Sequence, residues 1–271
     1  MLHLLPLNKS HVIRALALVA VVSTAPAFAL TSEEQGFDVA ARSDRSDRGF
    51  TDSRVSLKMI LRNSAGQESI RELSLTTFEM PDEQVGDKSI TVFDSPADID
   101  GTALLSHSKI LDADDQWLYL PALKRIKRIS SVNKSGPFVG SEFAFEDFTG
   151  LELNKYAYRY LDEEACGDLL CDVIERTPLY EHSGYSRQVA WVDQTDFQAR
   201  KIDFYDRRGD LLKTLEQSNW TYYQGKYWRA HLLSMRNHQT GKSTELVFGE
   251  FSFQNGLSEQ DFVKSTLKRL Q

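Results

Sequence analysis

Three carboxylates, Glu142, Glu146 and Asp147, stand within a few residues of Phe138, Phe143, Phe145 and Phe148. An apolar setting can drive the pKa values of neighbouring carboxyl groups apart and so create an acid and a base. The plainer reading is that these charges keep an aromatic loop soluble, and the sequence favours it. His107, His182, His231 and His238 are scattered over separate strands and loops. No i, i+4 or alternate-residue pair among them aims two imidazoles at one metal. There is no G-x-S-x-G elbow, H-E-x-x-H, Walker loop or G-x-G-x-x-G, the motifs that carry acyl-transfer, zinc or phosphate chemistry. The expectation is therefore a protein that is not an enzyme, with no cofactor and no metal.

The only two cysteines, Cys166 and Cys171, lack the C-x-x-C spacing and the helix start of a redox pair. They are expected to pair as a local clip on a hairpin, a loop short enough that closure contributes only about 2 kcal/mol. An exported location permits this. Lys9, His11 and Arg14 precede a short apolar run from Ala15 to Val22, and Ala27-Phe28-Ala29 offers small residues to a signal peptidase. Residues 1–29 are thus expected to be a cleaved leader, and residues 30–271 a single soluble periplasmic domain without a lipid anchor, since no cysteine follows the cut. Loss of Lys9 and Arg14 from 32 basic residues, against 39 acidic ones, makes the remainder more acidic than the −7 of the whole chain. Nucleic acid is an unsuitable partner for such a surface.

The elements that position these residues are mostly strands. After a polar, helix-forming stretch from Thr31 to Gly49, with Ser32 as cap and Phe37, Ala40 and Ala41 as a docking stripe, alternation takes over. Residues 55–61 and 70–78 form a hairpin across Asn63-Ser64-Ala65-Gly66. Strands follow at 88–93 and 102–111, and seven more lie between Lys155 and Phe253, separated by turns containing Gly, Pro and Asp. This spacing predicts an antiparallel meander, closed or partly closed as a barrel. A short helix is expected over 257–270. The Asp44–Arg48 run is expected to be a solvated helix face.

Between the two halves lies the densest stretch. Gln116-Trp117-Leu118-Tyr119-Leu120 is an apolar strand, and Leu123-Lys124-Arg125-Ile126-Lys127-Arg128-Ile129 is a basic one. The phenylalanine loop follows on Gly136, Pro137, Gly140 and Gly150. With so many large side chains, such a barrel is either solid or encloses an apolar site, and the residues alone favour the solid core.

The run from Trp117 to Ile129, then Phe138-Val139-Gly140-Ser141-Glu142-Phe143 and Glu146-Asp147-Phe148, resembles the signature of the bacterial outer-membrane lipoprotein-sorting-protein-like family, over nearly the whole exported chain. The resemblance implies a mainly β (α+β) fold of LolA/LolB type, an incomplete antiparallel β-barrel with helices and loops covering a concave apolar face. It implies a monomeric, non-enzymatic periplasmic carrier of a lipid, lipoprotein or other hydrophobic molecule, working with an inner-membrane transporter of the RND or MMPL type. On this reading Trp117, Leu118, Tyr119 and Leu120 line the cavity, and Phe138, Phe143, Phe145 and Phe148 gate it. Truncating Phe143 or Phe148 should then weaken binding at little cost in stability. Lys124, Arg125, Lys127 and Arg128 meet an anionic head group or an acidic transporter surface, unless they form only a solvated edge that resists aggregation. The alternative is an accessory subunit that docks on the transporter and binds no lipid.

Overall fold

Alternation decides the first strand. Val55, Leu57 and Met59 are buried while Arg54, Ser56 and Lys58 between them are exposed, which is the two-residue period of a strand with one face in a core. The computed structural model describes Met1, residues 30–82 and residues 84–270; the expected leader, Met1 apart, lies outside the described residues. In it this strand is β1 (Asp52–Arg62), which turns into β2 (Glu68–Phe78). Then come β3 (Lys88–Ser95), β4 (Ala103–His107), β5 (Asp115–Leu120) and β6 (Arg125–Ile129). A long connection, residues 130–155, leads to β7 (Tyr156–Cys166), β8 (Leu169–Pro178), β9 (Tyr185–Asp193) and β10 (Ala199–Asp206). The last strands are β11 (Leu211–Tyr223), β12 (Tyr227–Asn237), β13 (Ser243–Phe248) and the short β14 (Ser252–Phe253).

All pair antiparallel in one open, curved sheet of order β6-β5-β4-β3-β2-β1-β13-β12-β11-β10-β9-β8-β7, with β14 beside β1. Two meanders are therefore joined where Leu57 of β1 lies opposite Phe248 of β13. Edges remain at β6 and β7, so the barrel is incomplete. Cys166 and Cys171 are disulfide-bonded across the β7–β8 hairpin.

Two covers close the inner face. One is α1 (Ser32–Asp47), a single α-helix among the described residues where the resemblance implied several. Its N-cap is Thr31 rather than Ser32: the Thr31 hydroxyl accepts from the Glu34 amide at 3.2 Å, and the Glu34 carboxylate accepts from the Thr31 amide at 2.9 Å, a reciprocal box that needs Glu at the third helical position. Nor does α1 dock mainly through Phe37, which is 44% exposed with only its edge on Tyr158. Gly36, Val39, Ala40 and Ala41 are the buried stripe, so Ala40 and Ala41 dock as expected and Phe37 does not lead. A Cβ on Gly36 would lie 2.6 Å from the Arg159 backbone, so glycine permits the approach that turns this stripe, and not Phe37, toward β7.

The second cover is the connection from β6 to β7, which runs from one edge of the sheet to the other. Phe138 and Phe143 are buried there among Leu57, Met59, Leu73, Phe93 and Leu104. On the opposite, outer face, Trp117 and Tyr119 pack with Ile90, Leu105, Phe262 and Leu267. The segment supplying the last two is not the helix expected from its sequence but two short 3-10 turns, Glu259–Phe262 and Thr266–Lys268. Its two buried anchors are five residues apart, an interval that an α-helix of 3.6 residues per turn places on different faces.

Candidate functional site

The crossing loop divides the inner face into two cavities. Phe138, which has no exposed surface, lies tilted against Phe148 with ring centres 4.2 Å apart and edge-on to Phe145 at 5.5 Å. Phe148 and Phe143 then face a cavity of about 460 Å³, whose other apolar walls are Phe50, Leu75, Trp220, Leu233, Leu246 and Phe248. Phe145 faces a second, of about 520 Å³, with Leu118, Leu120, Ile99, Pro137 and Val139. Both volumes fall in the range of small-molecule sites.

The eight residues expected to line or gate a cavity are thus distributed. Phe143 and Phe148 border the first cavity; Leu118, Leu120 and Phe145 border the second. Phe138 is solid core between them. Trp117 and Tyr119 are corrections: strand alternation sends them to the outer face beneath the C-terminal segment. Phe143, 4% exposed, is also a structural residue, so its truncation should not be cheap, contrary to the expectation from the loop's composition. Lys124, just before the edge strand β6, and Arg125, Lys127 and Arg128 on it are all exposed and line neither cavity, although Arg125 and Lys127 lie opposite Leu120 and Leu118 of the second; Arg128 pairs with Asp115.

The loop carboxylates do not merely solubilise. The Glu146 carboxylate accepts from the Ser183 hydroxyl at 2.9 Å, the Gly184 amide at 2.8 Å and the Tyr180 hydroxyl at 3.1 Å. Burial, then the neighbouring Asp147 charge, pushes its pKa up, and those three bonds restrain it. Asp147 accepts from Lys213 Nζ and the Tyr185 hydroxyl, each at 2.7 Å, and its other contact, the Ala144 amide, is also at 2.7 Å. Glu142 accepts from the Asn237 side-chain amide at 2.7 Å. At the loop's ends Lys155 pairs with Asp114, both buried, and Lys134 donates to the Asp114 carbonyl. Gln116, with no exposed surface, donates to the Phe145 carbonyl at 2.7 Å. Lys213 of β11, Gln116 of β5, Asp114 just before β5 and Lys155 at the loop's end had no local pattern to identify them as partners.

The first cavity is two-sided in chemistry. Opposite its aromatic wall stand Asp44 and Asp47 of α1 with Arg48 at its C-cap, Glu79 after β2, Asp87 before β3, and Glu152 of the loop. The run expected to be a solvated helix face therefore borders the cavity. Asp47 keeps half of its side-chain surface, but that surface opens on the cavity: protein surrounds the carboxyl and burial raises its pKa, with Arg229 opposing. Gly86 brings the entrance of β3 close: a Cβ there would lie 2.6 Å from the Ser108 backbone and 2.8 Å from Glu152 Oε1. Burial pushes the Asp87 carboxyl up to about 6 and raises that of Glu152 as well. Nothing in this set is a nucleophile with a base beside it, and no group of three metal-ligating side chains occurs among the described residues.

Comparison with known proteins fits this architecture. A family model described as "uncharacterized protein" matches residues 86–269. The chain is 49% identical to a structure from Vibrio parahaemolyticus, described as an outer membrane lipoprotein-sorting protein domain, with a TM-score of 0.85 over 88% of this chain and all of that one. A protein from Desulfovibrio piger, of a family of unknown function, is 29% identical with a TM-score of 0.83 over the same shares. A LolA superfamily protein from Nitrosomonas europaea, 20% identical with a TM-score of 0.69 and again covering 88% of this chain, shares the fold. No curated protein matches the chain.

Proposed function

We propose, from the premise that the chain belongs to the family of the Vibrio parahaemolyticus outer membrane lipoprotein-sorting protein domain, that it is a non-enzymatic periplasmic carrier of a lipid, an acylated protein or another hydrophobic molecule. The observation that carries this reading is the space left on the inner face. Two cavities, of about 460 and 520 Å³, lie against an aromatic loop on a LolA-type sheet. An acyl chain entering them gains about 0.8 kcal/mol per CH₂ removed from water, so binding needs no catalytic group. No helix among the described residues is long and apolar enough to cross a membrane.

The basic strand has the character of a contact surface for a partner. Lys124, just before the free edge strand β6, and Arg125, Lys127 and Arg128 on it stand exposed; Arg125 and Lys127 lie opposite Leu120 and Leu118, beside the second cavity. We assign them to an acidic surface of an inner-membrane transporter, of the RND or MMPL type, that loads or unloads the carrier. A second reading, an accessory subunit that docks there and binds no lipid, draws support from Phe138, which fills the centre of the inner face. Reversal of the four residues to Glu should leave folding intact and impair transfer in cells under either reading. Uptake of a fluorescent fatty acid by the purified protein separates the two: stoichiometric uptake supports the carrier, and no uptake at any concentration leaves only the docking subunit.

A further inference from the structure

The first cavity holds more negative charge than the fold uses. Of the cations near its polar wall, Arg48 is engaged with Asp44 at 2.7 Å, Lys88 with Glu259, Arg229 with Asp47 and Lys155 with Asp114. Glu79 accepts from the Gly49 and Thr51 amides at 2.7 and 2.9 Å, and Asp87 from the Met80 amide at 2.9 Å. Among the described residues none of Glu79, Asp87 and Glu152 has an ion-pair partner. Glu152 is only 6% exposed, yet it lines the cavity. A carboxylate so far from water is costly unless a donor or a cation meets it. The protein meets this need only in part: Arg48, already paired with Asp44, acts on both Asp87 and Glu152, while Glu152 is eased further by the Asp87 amide and by Lys155, itself paired with Asp114. The same cavity presents Phe143, Phe148 and Phe248.

We infer that the first cavity selects an amphiphile with an amine at its polar end, the ammonium held by Asp87 and Glu152 with Glu79 beside them, and the chain laid against the aromatic wall. This rests on the carrier reading and narrows it. Charge-assisted bonds to a buried carboxylate are the strong ones, and an ammonium restores the countercharge that burial has removed. An anionic head group would meet three like charges. The basic edge strand does not line the first cavity and so offers no countercharge to an anionic head group there.

Isothermal titration calorimetry with dodecylamine, dodecanol and dodecanoate, each below its micelle concentration, tests the inference on the intact exported chain. Dodecylamine should bind about tenfold more tightly than dodecanol, a ratio typical of one charged hydrogen bond, and dodecanoate most weakly. Asp87→Asn with Glu152→Gln, both near-isosteric, should bring dodecylamine and dodecanol together. Glu181→Gln with Asp210→Asn, the same charge change at exposed positions, should leave the ratio as it was and so exclude general attraction to an acidic protein. Lysophosphatidylethanolamine against lysophosphatidylglycerol then distinguishes the source. A preference for the former assigns the amine to a phospholipid, and equal binding assigns it to a simple alkylamine. Equal affinities for all three dodecyl probes, or tightest binding of dodecanoate, would overturn the inference and leave the carrier intact; failure of all three to bind would overturn both.

Discussion

The sheet has two free edges, and the molecule treats them in opposite ways. At β7 the backbone is covered by α1, with Gly36 so close that a single added methyl group would overlap the Arg159 and Tyr160 backbone, at 2.6 to 2.8 Å. At β6 no further strand or helix pairs with the edge among the described residues, and Lys124, Arg125, Lys127 and Arg128 are exposed. Unpaired strand edges invite association, and charge is one way of restricting it. A helix makes one edge part of the fold; lysines and arginines keep the other available to a partner that can neutralise them. The crossing loop starts at the bare edge, ends at the covered one, and holds the cavities between them.

The largest expected effect is where the two edges are tied together. Lys155, just before β7, and Asp114, just before β5, are a buried pair, and breaking such a pair leaves an uncompensated charge worth about 3–5 kcal/mol. Lys155→Met should lower stability by that amount in urea unfolding; a change below about 1 kcal/mol would show that the loop is not fastened there. Phe143→Ala should cost about 3–5 kcal/mol and enlarge the first cavity, measured by thermal melting and by probe uptake. Retained stability with weakened uptake would instead make Phe143 a gate.

Gly36→Ala tests the covered edge. Overpacking against backbone should cost about 1–3 kcal/mol and raise amide exchange in β7, whereas an unchanged exchange pattern would mean that α1 does not shield that strand. Acid–base linkage gives an effect of similar or smaller size. Burial, then Glu152 and Glu79, pushes Asp87 from 3.8 up to about 6, with Arg48 and the Met80 amide opposing. Between those values the folded state binds more protons than the unfolded one, so this group's contribution is most favourable at low pH and is lost as pH rises through about 6. Asp87→Asn should therefore gain about 1–3 kcal/mol on wild type at pH 7.5 and little at pH 4, from paired urea melts. Reversing Lys124, Arg125, Lys127 and Arg128 should move stability by less than about 0.5 kcal/mol each, as for exposed sites generally. A large loss would mean that the bare edge is structural after all.

The covered and bare edges also differ in how far they could be read from the sequence. The alternation of β1 and β2, the turn at Asn63–Gly66, the basic strand and the Cys166–Cys171 clip are all local, because each depends on residues within a dozen positions. The parity of β5 was not legible: Trp117 and Leu118 are equally apolar, and only the arrival of Phe262 and Leu267 on the outer face decides that Trp117 turns away from the cavities. The fastening of Glu146 and Asp147 escaped for the same reason, since their partners stand at residues 180–185 and 213. Asp44, Asp47 and Arg48 looked like a solvated helix face, because nothing in a helical sequence shows that its last turn ends over a cavity. In the C-terminal segment two short 3-10 turns stand where a helix was expected. The five-residue spacing of the buried anchors, which forbids one continuous helix, became meaningful only once both were seen to be buried.

The central claim is that the inner face holds a hydrophobic cargo, and native mass spectrometry of protein released from the periplasm without detergent, with lipid extraction of the same sample, tests it most directly. A stoichiometric adduct is expected, lost on extraction and restored by adding the extracted material back. A clean apo mass, with no uptake of any added lipid, would contradict it.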